Sequence, residues 1–201
     1  NTKFLKKIAN YLTKATFPIT EIKSNSPFFV NLGKKNLITD VDGILVGNAQ
    51  NKEVATGCTV ITPIEGSLAS ADVRGGAPGT REVGALNPYN LVDSVDSIVL
   101  SGGSTWGLEA ASSVANYIGA EGRGYRPSSK FKNVPMIPSA ILYDLANGGD
   151  KNWAEKPPYS SLGIEAASNL SDKIELGNFG AGYGLSGNDL GTISDSKSWN
   201  W

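Results

Sequence analysis

The stretch VLSGGSTWGLEAASSVANYI, Val99 to Ile118, decides the fold class. A short apolar run enters a glycine turn, and a helical pattern leaves it. Leu108, Ala111, Ser112, Ala115 and Ile118 mark one face of that helix, and its many small residues predict close packing against a sheet. Many phosphate-binding loops begin this way. Gly102 and Gly107 have P-loop spacing, but Leu108 and Glu109 follow where a lysine and a hydroxyl residue are required. Glu109 also puts a negative charge in the first helical turn, which repels a phosphate. No G-x-G-x-x-G fingerprint occurs in the stretch, so nucleotide binding is the weakest reading of it. Two readings remain. In one, Gly102 and Gly103 remove a Cβ that would clash in a packing turn. In the other, free amides at the helix start face a substrate and orient its carbonyl oxygen. The residues alone leave both open.

Outward from this unit, strand and helix patterns are interspersed. GILVGNA reads as a strand from Gly43 to Val46, and EVATGCTVITP alternates and is rich in β-branched residues. IEGSLASADV reads as a turn at Glu65-Gly66 and a second strand, which predicts a hairpin there. RGGAPGTREVGALNPYN is a Gly/Pro-rich loop. VPMIPSAILYDL reads as a strand, SSLGIEAASNL as a helix, and KIELGNFGAGYGLSGNDLG as a strand running into a glycine-rich loop. The pattern is that of an α/β protein with a mixed sheet.

The chain has 201 residues, enough for one domain with a proper core. With 18 basic and 19 acidic residues its formal charge is −1, and no basic stripe points to nucleic acid. The basic cluster KFLKKIANYLTK reads as a solvated amphipathic helix, so residues 1–35 form an N-terminal helix and connection and residues 36–201 the compact part. No apolar run reaches the roughly 18 residues of a membrane span. The compartment stays open between cytoplasmic and secreted or periplasmic. The single cysteine, Cys58, lies in a strand pattern and reads as a buried structural thiol. The chain has no histidine, which removes His-based triads and the commonest general base.

Candidate chemistry is scattered. Asp72, Arg74, Arg81 and Glu82 surround a glycine-rich loop and read as local ion pairs that brace it. Tyr143 and Asp144 close a strand, where a tyrosine can donate to an oxyanion or simply be half-buried. Ser186 has a nucleophile's hydroxyl but no base beside it. Asp40, Asp42, Asn188 and Asp189 carry metal-ligand chemistry, at a spacing that matches no EF-hand.

Taken in order, LITDVDGILVGNA, GCTVI, ADVRGGAPGTRE, LSGGSTWGLEAASSVANYI, VPMIPSAILYDL and GNFGAGYG resemble the P1 family of DmpA-like self-processing peptidases and amidases. That family includes D-aminopeptidase/esterases, β-aminopeptidases and nylon-oligomer hydrolases. The resemblance runs from about Asn36 to about Leu190. It implies a four-layer αββα sandwich with mixed sheets, shared with ornithine acetyltransferases. It implies a precursor that cuts itself before a Ser or Thr, which becomes the N-terminal nucleophile of a β chain. The α-amino group of that residue then serves as base, since it titrates near neutral pH. The present chain would be the α-chain portion, with the nucleophile and an oxyanion Asn beyond it. The implied substrate is a small peptide or amide, the assembly an oligomer of αβ units, and no metal or organic cofactor is required. Tyr143 matches the family tyrosine that contacts the substrate or oxyanion region. Gly102 and Gly103 become a scaffold turn near the cleft. Ile141 stands where aminopeptidase members carry a glutamate that holds the substrate's amino group, as it does in the nylon-oligomer hydrolases, which are apolar there. Asp189, beside Asn188, stands where those hydrolases have a lysine. The alternative expectation is a catalytically inactive relative kept for assembly.

Overall fold

The computed structural model describes residues 33–92 and 94–185. The expected N-terminal helix, Ser186, Asn188 and Asp189 lie outside these residues. Among the described residues five strands form one sheet: β1 (Ile44–Asn51), β2 (Thr56–Pro63), β3 (Thr80–Arg81), β4 (Ile98–Ser101) and β5 (Ser139–Ile141). Their order is β1-β2-β4-β5-β3. β4 and β5 are parallel and all other neighbours antiparallel, so the sheet is mixed as expected. Two helices, α1 (Leu108–Ala120) and α2 (Tyr159–Ser168), cover one face.

The register explains the core. Ala49 faces Cys58, Cys58 faces Ser101, and Val60 faces Val99, so alternate residues of three strands point toward the helices. Cys58, Val60, Val99, Val114, Ile137 and Tyr159 are wholly buried there. The helices touch through small residues: a Cβ on Gly163 of α2 would lie 2.6 Å from Ser113 Oγ and 2.7 Å from Ala110 O of α1. By the described residues the opposite face is only partly covered. The 3-10 turn Gly180–Gly182 lies on it, held by bonds from Gly180 N to Gln50 Oε1 (3.2 Å) and Ala181 N to Thr59 Oγ1 (3.0 Å). Leu100, on the same face, remains 37% exposed.

Several expectations need correction. The hairpin joins β1 to β2, not the segment after Glu65. Asn51 Oδ1 accepts from Val54 N at 2.9 Å, and Ala55 takes a left-handed φ of 55°, which turns the chain back. Beyond Gly66 only a bridge between Ser67 and Val95 forms, and Leu68 and Val73 are exposed, so no apolar face exists to dock a strand. The first strand begins at Ile44 and runs on to Asn51. In VPMIPSAILYDL only Ser139–Ile141 pair as a strand, because Pro135 and Pro138 have no N–H for the ladder. KIELGNFG forms no strand; the amides at its end bond to side chains of β1 and β2 instead. The glycine/proline loop does contain the two-residue β3. The buried face of α1 is Ala110, Ala111, Ser113, Val114 and Ile118. Ser112 instead points outward to accept a bond from Arg81 Nη1 at 2.5 Å, because α1 packs beside α2 on the sheet and its Ser113 side meets Gly163 of α2.

Cys58 sits in the centre of this core, and burial pushes its thiol up to about 12. The raised value favours the folded state below the unfolded thiol's pKa of 9.0, and this contribution is lost as pH climbs from there toward 12. Denaturant midpoints of the native protein are therefore expected to fall more steeply above pH 9.0 than those of Cys58→Ala. Equal slopes for the two proteins would show that the thiol is not shielded.

Candidate active site

β4 and β5 run in parallel and end together, at Ser101 and Ile141. The turn after β4 and the exit from β5 are thus side by side at the carboxyl end of a parallel pair, where open α/β sheets place ligands. They are laced by two bonds: Leu142 N to Ser101 O at 3.0 Å, and Ser104 N to Leu142 O at 2.9 Å. Of the sequence candidates, Gly102, Gly103, Ile141 and Tyr143 meet here.

The glycine turn is a packing device. Gly103 has a φ of 87°, and a Cβ on it would lie 2.1 Å from Tyr159 Cζ. A Cβ on Gly102 would lie 2.0 Å from Asp144 Oδ2 and 2.3 Å from Thr56 Oγ1. The amides are engaged within the chain: Gly102 N donates to Gly57 O at 2.9 Å, and Gly103 N to Asp144 Oδ1 at 2.7 Å. With the Ser104 amide on Leu142 as well, the turn presents a bonded backbone and a carboxylate, not an anion cradle.

Tyr143 and Asp144 leave β5 in opposite directions. Tyr143 is 53% exposed, whereas Asp144 is 0% exposed. The Asp144 carboxylate accepts from Gly103 N and, at 2.5 Å, from the Thr56 hydroxyl. The Tyr159 hydroxyl is buried beside Thr56 with no hydrogen-bond partner among the described residues. Burial pushes its phenol up to about 12, and the Asp144 charge adds to the rise. Trp153 packs edge-on against Tyr159 (centroids 5.9 Å) and Trp106 (6.3 Å), carrying an aromatic row from the buried carboxylate to the half-exposed Trp106. On the other side, the Lys151 amine donates to Asn147 Oδ1 at 2.9 Å and to Val54 O. Burial lowers the Lys151 pKa, and the Asp144 charge opposes that shift. Asn147 Nδ2 in turn holds Ala55 O and Gly184 O at 2.8 and 3.0 Å.

At the same strand end, Ile141 packs its side chain on Gly79, where a Cβ would lie 2.5 Å from Ile141 Cδ1. The other candidates fall elsewhere. Asp72 and Arg74 do pair, at 2.7 Å in the open, but Arg81 reaches α1 and Glu82 accepts from Ile137 N at 3.4 Å. The loop is therefore braced against other elements more than within itself. Asp40 caps a turn by accepting from Lys35 N and Leu37 N. Among the described residues no group of three or more His, Cys, Asp or Glu side chains is placed to hold a metal. No helix among them is long and apolar enough to cross a membrane. A groove of about 560 Å³ runs along β1 past Lys35, Asn48, Gln50 and Phe179, and its lining shares no residue with the Tyr143 turn. Sequence reasoning missed Thr56 and Tyr159 as part of the site. Thr56 lies 88 residues before Asp144, and no local pattern signals the pairing.

The fold has solved counterparts. A Pyrococcus horikoshii protein superposes with a TM-score of 0.64 at 24% identity, over 79% of this chain and 47% of its own. The L-aminopeptidase D-Ala-esterase/amidase of Ochrobactrum anthropi, described as a variant of the Ntn hydrolase fold, superposes with 0.59 at 19% identity, over 80% and 47%. The architecture is thus the α/β arrangement of that Ntn-type hydrolase fold. Residues 36–192 match the model of peptidase family S58, and the chain belongs to that family, as the sequence resemblance implied. An uncharacterized aminopeptidase of Mycobacterium tuberculosis is 38% identical over 155 residues, which are 73% of this chain and 43% of the relative. A 6-aminohexanoate-oligomer endohydrolase of Kocuria sp. is 33% identical over 132 residues, 66% of this chain and 32% of the relative. The chain therefore spans less than half the length of these curated relatives.

Proposed function

We propose that this chain is the α-chain portion of an amide-bond hydrolase whose nucleophile is an N-terminal Ser or Thr on a separate β chain. The observation that carries this reading is the placement of Tyr143 in a chain of peptidase family S58. It is half-exposed, at the carboxyl end of a parallel pair, on a backbone fixed by Ser101, Ser104 and Gly103. The β-chain hydroxyl attacks the amide carbonyl, and its proton passes to the α-amino group. Tyr143 donates its phenolic O–H to the oxyanion of the tetrahedral intermediate. The amine leaves with the proton, and water then releases the acyl group from the ester. No step requires a metal or an organic cofactor.

The half-covered sheet face supports the four-layer reading. Thr59, Asn48 and Leu100 look away from α1 and α2, and a second sheet from the remaining half of the protein packs there, completing the αββα sandwich. Ile141 supports a substrate class. An apolar side chain against Gly79 cannot pair an ammonium, so the site takes amides that present no free amine at that position, and the Kocuria relative is named an endohydrolase of 6-aminohexanoate oligomers.

Intact mass of the natively purified particle, run under denaturing conditions with N-terminal sequencing, tests the proposal. A second polypeptide beginning with Ser or Thr is expected. A particle of one uncut polypeptide would refute the processed-nucleophile mechanism and favour the inactive, assembly-only relative.

A further inference from the structure

The buried carboxylate of Asp144 is the least expected group in this chain. It is wholly buried, it forms no ion pair within the described residues, and it bonds only a hydroxyl and a backbone amide. A charge buried this way is costly unless the fold uses it. Its two oxygens reach two different elements. Oδ1 takes the amide of Gly103, in the turn after β4, and Oδ2 takes Thr56, the first residue of β2. Its own backbone follows Tyr143. One side chain therefore ties three elements at the point where Tyr143 leaves the sheet. Gly102 is kept without a side chain in the space that this carboxylate and Thr56 fill.

We propose that Asp144 is a positioning residue: it clamps the Gly102–Gly103 turn and β2 to the end of β5, and so sets the place from which Tyr143 reaches the reacting carbonyl. The inference rests on the hydrolase reading above. Tyr143 makes the contact with substrate; Asp144 acts through it. A displacement of about 1 Å at such a group lowers turnover up to about a hundredfold.

The test uses Asp144→Asn in the complete processed particle. Asparagine keeps the volume and one acceptor, but it turns an NH2 toward Thr56 or Gly103. Two readouts are required. In hydrogen exchange, the Gly103 and Ser104 amides are expected to exchange at least about tenfold faster in Asp144→Asn, while amides in the middle of α1 hold their protection. In kinetics, kcat is expected to fall about ten- to a hundredfold with KM little changed, and the substitution should cost nothing more in a Tyr143→Phe background. Val114→Ala, a core truncation of α1, is the control for lost stability and should leave kcat unaltered and combine additively. If Asp144→Asn does not fold, Thr56→Val removes one of the two bonds without touching the charge and should show the same pattern with smaller losses. Unchanged exchange at Gly103 and Ser104 overturns the clamp. Faster exchange with losses that add to those of Tyr143→Phe overturns its link to Tyr143. A wild-type particle that cleaves no amide refutes the hydrolase reading, and the exchange result then decides the clamp by itself.

Discussion

Gly103→Ala is expected to destabilise the protein by about 2–5 kcal/mol, the sum of a left-handed backbone cost of about 1–2 kcal/mol and an overpacking cost of about 1–3 kcal/mol. The first part follows from the φ of 87°. The second follows from the ring of Tyr159, which would stand 2.1 Å from the new methyl group. That ring cannot swing aside, because it is wholly buried and Trp153 packs on it edge-on at 5.9 Å. For a domain whose whole stability is of order 5–15 kcal/mol, such a loss removes much of the folded population on warming. Gly122→Ala is the matched comparison. Gly122 has nearly the same φ, 84°, but nothing lies within 4 Å of its Cβ position. The difference between the two denaturant midpoints therefore isolates the contact with Tyr159. Equal losses would mean that the turn is held by its backbone conformation alone.

Tyr143→Phe should lower kcat by about 10²–10³-fold, the usual effect of removing one oxyanion donor. KM and the unfolding midpoint should hardly move. The side chain is 53% exposed, so losing its hydroxyl neither opens a cavity nor strands a buried partner. A fall in kcat with an intact midpoint places the phenol in the transition state. An unchanged kcat removes Tyr143 from the mechanism and leaves the acyl-transfer step to the β chain alone.

These two expectations differ in how much of their basis could be read from the residues. The helix after Gly107 and the strands around Cys58 and Val99 carry their periods in the sequence, and both appear in the fold. The face of α1 does not, since Ala, Ser and Gly are small enough to be buried on several sides, and the choice of Ser113 over Ser112 was made by α2. The hairpin turn falls at Asn51–Ala55 although Glu65-Gly66 has the stronger local turn chemistry. Asn51 and Ala55 close the chain only because β1 and β2 pair along their full lengths. Tyr143 stands out by residue type at a strand end, and the family resemblance is what favours an oxyanion role for it over a merely half-buried one. The glycine turn was legible as either a packing or a substrate-facing element, and what distinguishes them is tertiary: Tyr159, Thr56 and Asp144 come from three other parts of the chain.

The strand order carries a consequence for synthesis. Among the described strands β3 lies outermost and pairs only with β5, Thr80 opposite Ala140 and Arg81 opposite Ser139. A chain growing from its N-terminus delivers β1 and β2 as a hairpin that can close at once. β3 then emerges with no partner, and the ribosome must add β4, α1 and β5 before its seat exists. The glycine-rich approach to β3, solvated and low in apolar side chains, suits a segment that has to wait in water without collapsing onto the wrong edge.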